Sequence, residues 1–419
     1  MTAQTNGIKM KIKERLERTK LQMQLLHGVQ EETGTPPDVV NDMCDEFPED
    51  IIREYAFSDA HCGRGPFLAE IAYRKYCLLE TDDELENQKI LERIIGNEIY
   101  GNDISKTFQA MATSSLQRAM GKLSKVNIDN KDAEVYNLNM EEKIELASVT
   151  NPPYQPAIGV KKGGNEYKKH ILKDLKRAPK FGVANIPMTF MVQDPFDTDN
   201  LKFRNKLLDA GLKKIKHIRP DAYKANVLTV YIVWQEGYTG DVEFSTYDIQ
   251  NVNVHHSISV SRDKLRNLGV WPVARTVAEF DSALKVLSYK KKKYTTIKNK
   301  VTEKADWCVE FEYLIGMEKE RLNKMNPLRG IAKRGPADKV RGGSLSKFIN
   351  VQDENEADSL VEFLSTVGQE WFRSIPRGSS AENWMVGPLV EMWKDLYVKS
   401  SKHDIYNTMF DQVKEVAHG

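Results

Sequence analysis

The run Val227-Leu228-Thr229-Val230-Tyr231-Ile232-Val233-Trp234 holds a single polar side chain in eight residues. Successive residues of a strand point to opposite faces, so a strand of this composition has no face to offer water. Such strands belong in the middle of sheets covered by helices on both sides. Phe181 to Pro187 and the run Ile144, Leu146, Ala147, Val149 repeat the pattern. Between the last two strands, Leu201 to Ala210 has helical spacing, Gly211 stops it, and Lys214 to Ile218 reads as a further strand. The expected fold class is α/β, a Rossmann-like doubly wound sheet whose ligands bind where the strands end.

The loops at those strand ends carry the chemistry. Gly34-Thr35-Pro36-Pro37-Asp38 is a helix start in which Thr35 can cap and the prolines fill the first turn. Glu54 to Ala60 reads as a strand running into His61-Cys62-Gly63-Arg64-Gly65-Pro66, followed by helical stretches over residues 66 to 95. Glycines at such a turn let a ligand approach the backbone, and the helix start presents unpaired N–H groups. The third glycine of dinucleotide spacing is missing, which disfavours NAD. Glu98 to Asp103 forms a second strand ending in a carboxylate, the position of a ribose-binding acid. Residues 104 to 120 are expected to be a helix burying Phe108, Met111 and Leu116. Ala133 to Tyr136 is expected as a third strand, delivering Asn137 and Asn139 to the same edge.

After the strand ending at Val149 comes Thr150-Asn151-Pro152-Pro153-Tyr154. Two prolines hold the backbone extended and remove two N–H donors. The Asn151 side-chain oxygen and the Pro152 carbonyl can accept both hydrogens of an exocyclic amine, and the Tyr154 ring offers a stacking face. Taken alone, the same residues also suit a rigid turn. Lys161-Lys162-Gly163-Gly164 then reads either as a basic loop closing over a ligand or as a solvated surface loop. Met188, Phe190 and Met191 can wall a pocket at this edge or pack the core.

Taken together, Thr35-Pro36, Asp59 to Gly65, Asp103 and Asn151 to Tyr154 occur in an order that resembles the S-adenosylmethionine-dependent DNA methyltransferases that modify adenine at N6. The arrangement is the one in which a target-recognition domain follows the catalytic domain, and the resemblance covers roughly residues 30 to 235. It implies that Thr35 and Pro36 touch the methionine end of the cofactor. It further implies that Asp59, Gly63 and Gly65 form the cofactor loop, that Asp103 binds the ribose, and that Asn139 lies near the cofactor's adenine. Asn151, Pro152, Pro153 and Tyr154 match the catalytic motif, whose target base is flipped out of the duplex. His61, Arg64 and Pro66 stand where that loop commonly has smaller residues. The implied setting is a bacterial cytoplasm or a phage-infected bacterial host, as part of restriction-modification.

The whole chain of 419 residues suffices for two domains. The expected division is an N-terminal helix at 1–29, a catalytic domain at 30–238 and a target-recognition domain at 239–419. Ile12, Leu16, Leu21, Leu25 and Leu26 give the first segment an amphipathic pattern, expected to be a packing appendage. Lys and Arg number 61 against 60 Asp and Glu, so a nucleic-acid face requires segregated charge. Residues 285 to 347 supply it, with 17 basic against 7 acidic side chains. Lys291, Lys292, Lys293, Lys333, Arg334 and Arg341, with Lys161 and Lys162, are the candidate contacts to double-stranded DNA. Trp371, Trp384 and Trp393 are expected to pack this region, and His255-His256, in an alternating strand with no third ligand nearby, to be structural. The four cysteines lie in no ligand spacing and read as reduced thiols, so no metal is expected. No run is long and apolar enough for a membrane span. No obligate protein partner is evident, and too few residues precede Thr35 for a nuclease domain. Two alternatives remain: methylation of RNA or of a protein glutamine, and a catalytically degenerate DNA-binding protein.

Overall fold

The computed structural model describes residues 11–25, 34–121, 125–133, 145–154, 166–177, 179–191, 199–219, 222–223, 228–247, 254–266, 268, 270–289, 297–298, 301–313, 328–340, 346–374 and 383–399. Nine strands form one sheet: β1 (Ala56–Asp59), β2 (Ile99–Asn102), β3 (Asn127–Asp129), β4 (Leu146–Thr150), β5 (Phe181–Pro187), β6 (Leu212–His217), β7 (Thr229–Gln235), β8 (Val242–Tyr247) and β9 (His255–Val260). Their order is β3-β2-β1-β4-β5-β7-β6-β8-β9. The strands from β3 to β5 run parallel, and β7 is inserted antiparallel between β5 and β6. The chain therefore winds outward from β1 in one direction and resumes at β4 in the other, which makes the α/β sheet doubly wound.

Alternation along the apolar strands shows why both faces need cover. Phe181 and Val183 of β5, with Tyr231 and Val233 of β7, enter one core. Their neighbours Ala184, Ile186, Val230, Ile232 and Trp234 enter the other. The first core is closed by α1 (Ile12–Leu25), α2 (Pro37–Cys44), α3 (Glu49–Glu54), α4 (Pro66–Leu79), α5 (Glu84–Arg93) and α6 (Lys106–Met120). The second is closed by α7 (Glu166–Lys176) and α8 (Asp199–Asp209), together with α9 (Arg262–Leu265) and Trp271. Met188, Phe190 and Met191 pack into this second core.

Several expectations change. Helix α1 is integral to the first core: it packs on α4 and α6 through Ile12, Leu16 and Met23, while Leu21 is exposed. In α6 the buried side is Ala112, Leu116, Ala119 and Met120, whereas Phe108 and Met111 are half-exposed. The Arg64 guanidinium lies 5.5 Å from the centre of the Phe108 ring, and Met111 lines a groove of about 620 Å³ shared with Met23, Arg64 and Lys106. The edge strand is β3; Ala133 lies in a turn, and residues 134–136 of the expected third strand fall outside the described residues.

The boundary placed at 238/239 falls inside the sheet. β6 has β7 on one side only, and β8 covers its other edge in parallel register, with β9 antiparallel beyond it. A smaller antiparallel sheet follows, in the order β10-β13-β11-β12, from β10 (Ile297–Lys298), β11 (Trp307–Tyr313), β12 (Leu328–Arg334) and β13 (Ser346–Val351). α11 (Glu354–Phe363), α12 (Gln369–Ser374) and α13 (Asn383–Lys399) join it around Phe311, Leu360, Phe363, Trp371 and Trp393. The Trp384 side chain lies outside the described ones. Helix α10 (Val277–Ser288) serves both bodies, with Phe280 in the core beside α8 and Ala283 and Val286 in the core of the smaller sheet.

Gly182 and Trp234 are cross-strand partners in the middle of the large sheet. A Cβ at Gly182 would lie inside the buried indole. Gly182→Ala is therefore expected to cost about 1–3 kcal/mol of stability, read as a lowered midpoint in chemical denaturation with unchanged slope.

Candidate active site

β1 and β4 are neighbours, and the crossovers leave them in opposite directions. This switch point opens a crevice beyond the strand ends. The loop after β1 holds Asp59 to Gly65, the loop after β2 holds Asp103, and the loop after β4 holds Asn151 to Tyr154.

The glycine loop is built around Asp103. One carboxylate oxygen accepts from the Gly63 N–H at 2.9 Å, and the other from the Ser105 N–H at 2.8 Å. Each oxygen has a second lone pair, so the carboxylate can still accept from hydroxyls. Gly63 and Gly65 have φ of 52° and 86°, in the left-handed region that glycine enters without strain. Gly65 then starts α4, with Pro66 in the first turn where no N–H is needed. Cys62 donates its N–H to the Asn102 carbonyl at 2.8 Å, and Gly65 to the Cys62 carbonyl at 2.7 Å, which closes the turn.

Asp59 is buried, and burial pushes its carboxyl up to about 8. One oxygen accepts from the His61 N–H at 3.0 Å, Oδ2 is buried, and the Thr150 side chain beside the carboxyl favours its ionised form against the effect of burial. Left-handed glycines beside the Asp103 carboxylate fit a cofactor bearing hydroxyls. His61 points under the next loop: Nδ1 is 3.5 Å from the Thr150 hydroxyl, and the ring meets His170 edge-on at 4.2 Å. Burial, with His170 and Arg177 nearby, holds its pKa well below the usual range, so the imidazole stays neutral. The bulkier residue in the glycine loop is thus accommodated by packing.

Asn151 is held at both ends of its amide. Its Nδ2 donates to the Thr35 hydroxyl at 2.8 Å. Its Oδ1 accepts from the Tyr154 hydroxyl at 2.8 Å and from Asn185 Nδ2 at 3.3 Å. Asn185 also donates to the Tyr223 hydroxyl, which lies close to Thr35. Thr35 therefore does not cap α2; Pro36 occupies the N-cap, without a side-chain bond, and the freed hydroxyl serves Asn151. α2 and the turn after it are tied down by Arg219 to Asp38, Lys216 to Asp42 and Lys214 to Glu46, which brings Thr35 to the β4 loop. Tyr154 turns its hydroxyl inward, and burial raises its pKa well above the usual phenol value, so the group remains a donor. The Asn151 oxygen, expected as a free acceptor, thus already has two donors. Asn185 and Tyr223 were not anticipated, although a lone asparagine inside the apolar run Phe181 to Pro187 was a visible signal.

Lys333 forms ion pairs with Glu354 at 2.9 Å and with Asp358 at 2.8 Å, and Arg334 pairs at 2.9 Å with buried Glu310. Both candidate phosphate contacts are committed to carboxylates of their own domain. Asn139, Lys161, Lys162, Lys291, Lys292, Lys293 and Arg341 lie outside the described residues. No helix among the described residues is long and apolar enough to cross a membrane.

No protein-family model and no curated protein matches this chain. Among solved structures it is similar to one described as the modification subunit of a type I restriction enzyme from Vibrio vulnificus. The identity is 16%, covering 69% of this chain and 61% of that one, with a TM-score of 0.44. A type I restriction-modification methyltransferase subunit from Streptococcus thermophilus matches at 14% identity over 55% and 51% of the two chains, with a TM-score of 0.38. A structure described as a class I S-adenosylmethionine-dependent methyltransferase from Listeria monocytogenes matches at 14% over 57% and 74%, with a TM-score of 0.41. The chain spans 61% and 51% of the first two structures' lengths. Likeness at this level identifies neither substrate nor partner.

The Asp59 carboxyl gives the site a pH signature. The folded state keeps a proton that the unfolded chain releases at ordinary carboxylate pH, so stability falls as pH rises through that window to about 8 and levels off above it. Asn carries no such burden. The melting temperature of Asp59→Asn relative to the unsubstituted protein should therefore rise between about pH 5 and about pH 8; a difference constant across pH would contradict the buried neutral carboxyl.

Proposed function

We propose that the protein is a DNA adenine-N6 methyltransferase using S-adenosylmethionine. The observation that carries this reading is the meeting of Asn151 with the glycine loop and Asp103 across one switch point, with Thr35 bonded directly to the Asn151 amide. An amine acceptor and a cofactor cradle then share one crevice.

Asp103 would receive the ribose hydroxyls, the turn at Gly63 and Gly65 would admit the cofactor's backbone-hugging portion, and Thr35 with Pro36 would border its methionine end. When bound, the cofactor supplies an electrophilic methyl group on a sulfonium. Asn151 Oδ1 and the Pro152 carbonyl accept the hydrogens of the target amine. That pulls the nitrogen lone pair out of conjugation with the purine and aims it at the methyl carbon. With the cofactor bound, its methyl group would pass to the amine held by Asn151 and Pro152, the S–C bond breaking as the N–C bond forms and the amine's proton leaving to solvent. Holding the partners in line provides most of the acceleration. Tyr154 leaves Asn151 to stack on the flipped base, whose extrusion costs a few kcal/mol on the order given for unstacking. The carboxylates facing Lys333 and Arg334 leave phosphate contact to other cations of the C-terminal region. A nucleic-acid substrate is favoured over protein by the basic excess of residues 285 to 347.

The test is transfer of a labelled methyl group to unmethylated duplex DNA, RNA and protein, with the modified base identified. Labelled N6-methyladenine in DNA is expected; label confined to protein would sink the reading. Asn151→Ala should lower turnover about a hundredfold or more while cofactor affinity is retained, and Asp103→Ala should weaken the cofactor instead. Calorimetric binding and turnover, measured on the same preparations, separate the two effects.

A further inference from the structure

Asn185 is a fully buried polar residue in a strand whose seven residues are all buried. The parallel register pairs Thr150 with Ala184, which puts Asn185 beside Asn151, one step beyond the paired residues. A buried amide is costly unless bonded, so its retention here calls for a purpose. Its Nδ2 donates to both Asn151 Oδ1 and the Tyr223 hydroxyl, while its own Oδ1 has no partner among the described residues. A residue selected for packing alone would be apolar, like its neighbours in β5.

We propose that Asn185 is a positioning residue for methyl transfer, acting through Asn151; this rests on the function proposed above. The Asn151 oxygen has two acceptor sites, and both are occupied. For the target amine to bind, one donor must leave. Tyr154 is half-exposed and sits in the loop, whereas Asn185 is held inside the sheet and tied to the buried Tyr223 hydroxyl. Tyr154 therefore yields and Asn185 stays. With Thr35 on the nitrogen and Asn185 on the oxygen, the amide cannot rotate when the tyrosine departs, and its remaining lone pair stays aimed at the vacated position. Tyr223 completes the grip by accepting the second Nδ2 hydrogen of Asn185.

The experiment measures kcat, KM for unmethylated duplex DNA and cofactor affinity for the full-length chain and its Asn185→Ala and Tyr223→Phe variants. Asn185→Ala should lower kcat about tenfold to a hundredfold, with KM and cofactor affinity within about twofold. Tyr223→Phe, which leaves Asn185 in place but loosens it, should lower kcat about threefold to tenfold. In an Asn151→Ala background, Asn185→Ala should add no further loss, because the residue it positions is gone. Should Asn185→Ala fail to fold, Tyr223→Phe carries the test. Unchanged kcat in the variants that fold, a loss confined to KM or cofactor affinity, or a full additional loss in the Asn151→Ala background would overturn the positioning role. Absence of transfer by the unsubstituted protein would overturn the proposed function as well.

Discussion

Everything at the candidate site depends on the pairing of β1 with β4. Residues 56–58 lie against residues 146–148, although some ninety positions separate them in the chain. Because both strands run the same way, their C-terminal ends coincide, and the two loops that follow face each other across one crevice. Had β4 been antiparallel, Asn151 would sit at the opposite edge from Asp103. Two strands buried on both sides, β5 and β7, then hold β4 in the interior of the sheet, where register is strongly specified by the need to bury alternating side chains.

The polar network around Asn151 makes sense only on that apolar platform. Asn185, Thr35 and Thr150 are each less than a tenth exposed, and each would be destabilising without a partner. Asn185 and Thr35 are both bonded to Asn151, and Thr150 faces His61, so the network is ordered only when β4, β5, α2 and the Tyr223 segment are all in place. The ion pairs that anchor α2 and the turn after it are half-exposed, and each contributes little by itself. Their importance is geometric, because they put Thr35 within reach of Asn151.

The apolar strands, the helix over 201–210 and the loop motifs were legible in the sequence because each is contiguous and strongly patterned. β9 was legible too, as the alternating strand at His255-His256. β3 and β8 were not: Asn127–Asp129 is only three residues long, too short to show a pattern. The identity of Asn151 and Asp103 could be read from motif order, but the bonds to Thr35, Asn185 and Tyr223 could not. Thr35 and Asn151 are 116 positions apart, and only sheet register and helix docking bring them together. Lys333 and Arg334 show the converse: charge counting locates cations but not the carboxylates opposite them.

The extension of the sheet through β8 and β9 bears on how the chain can be divided. A piece ending after β7 would strip β6 of its outer partner and leave a row of unpaired N–H and C=O groups along Lys214 to Lys216. Bare rims of this kind recruit strands from other molecules. The same cut would uncover the apolar side of β6 and β7 that Trp271 and Phe280 now shield. The stretch from residue 239 through β9 thus covers the edge of β6 that a cut at residue 238 would lay bare.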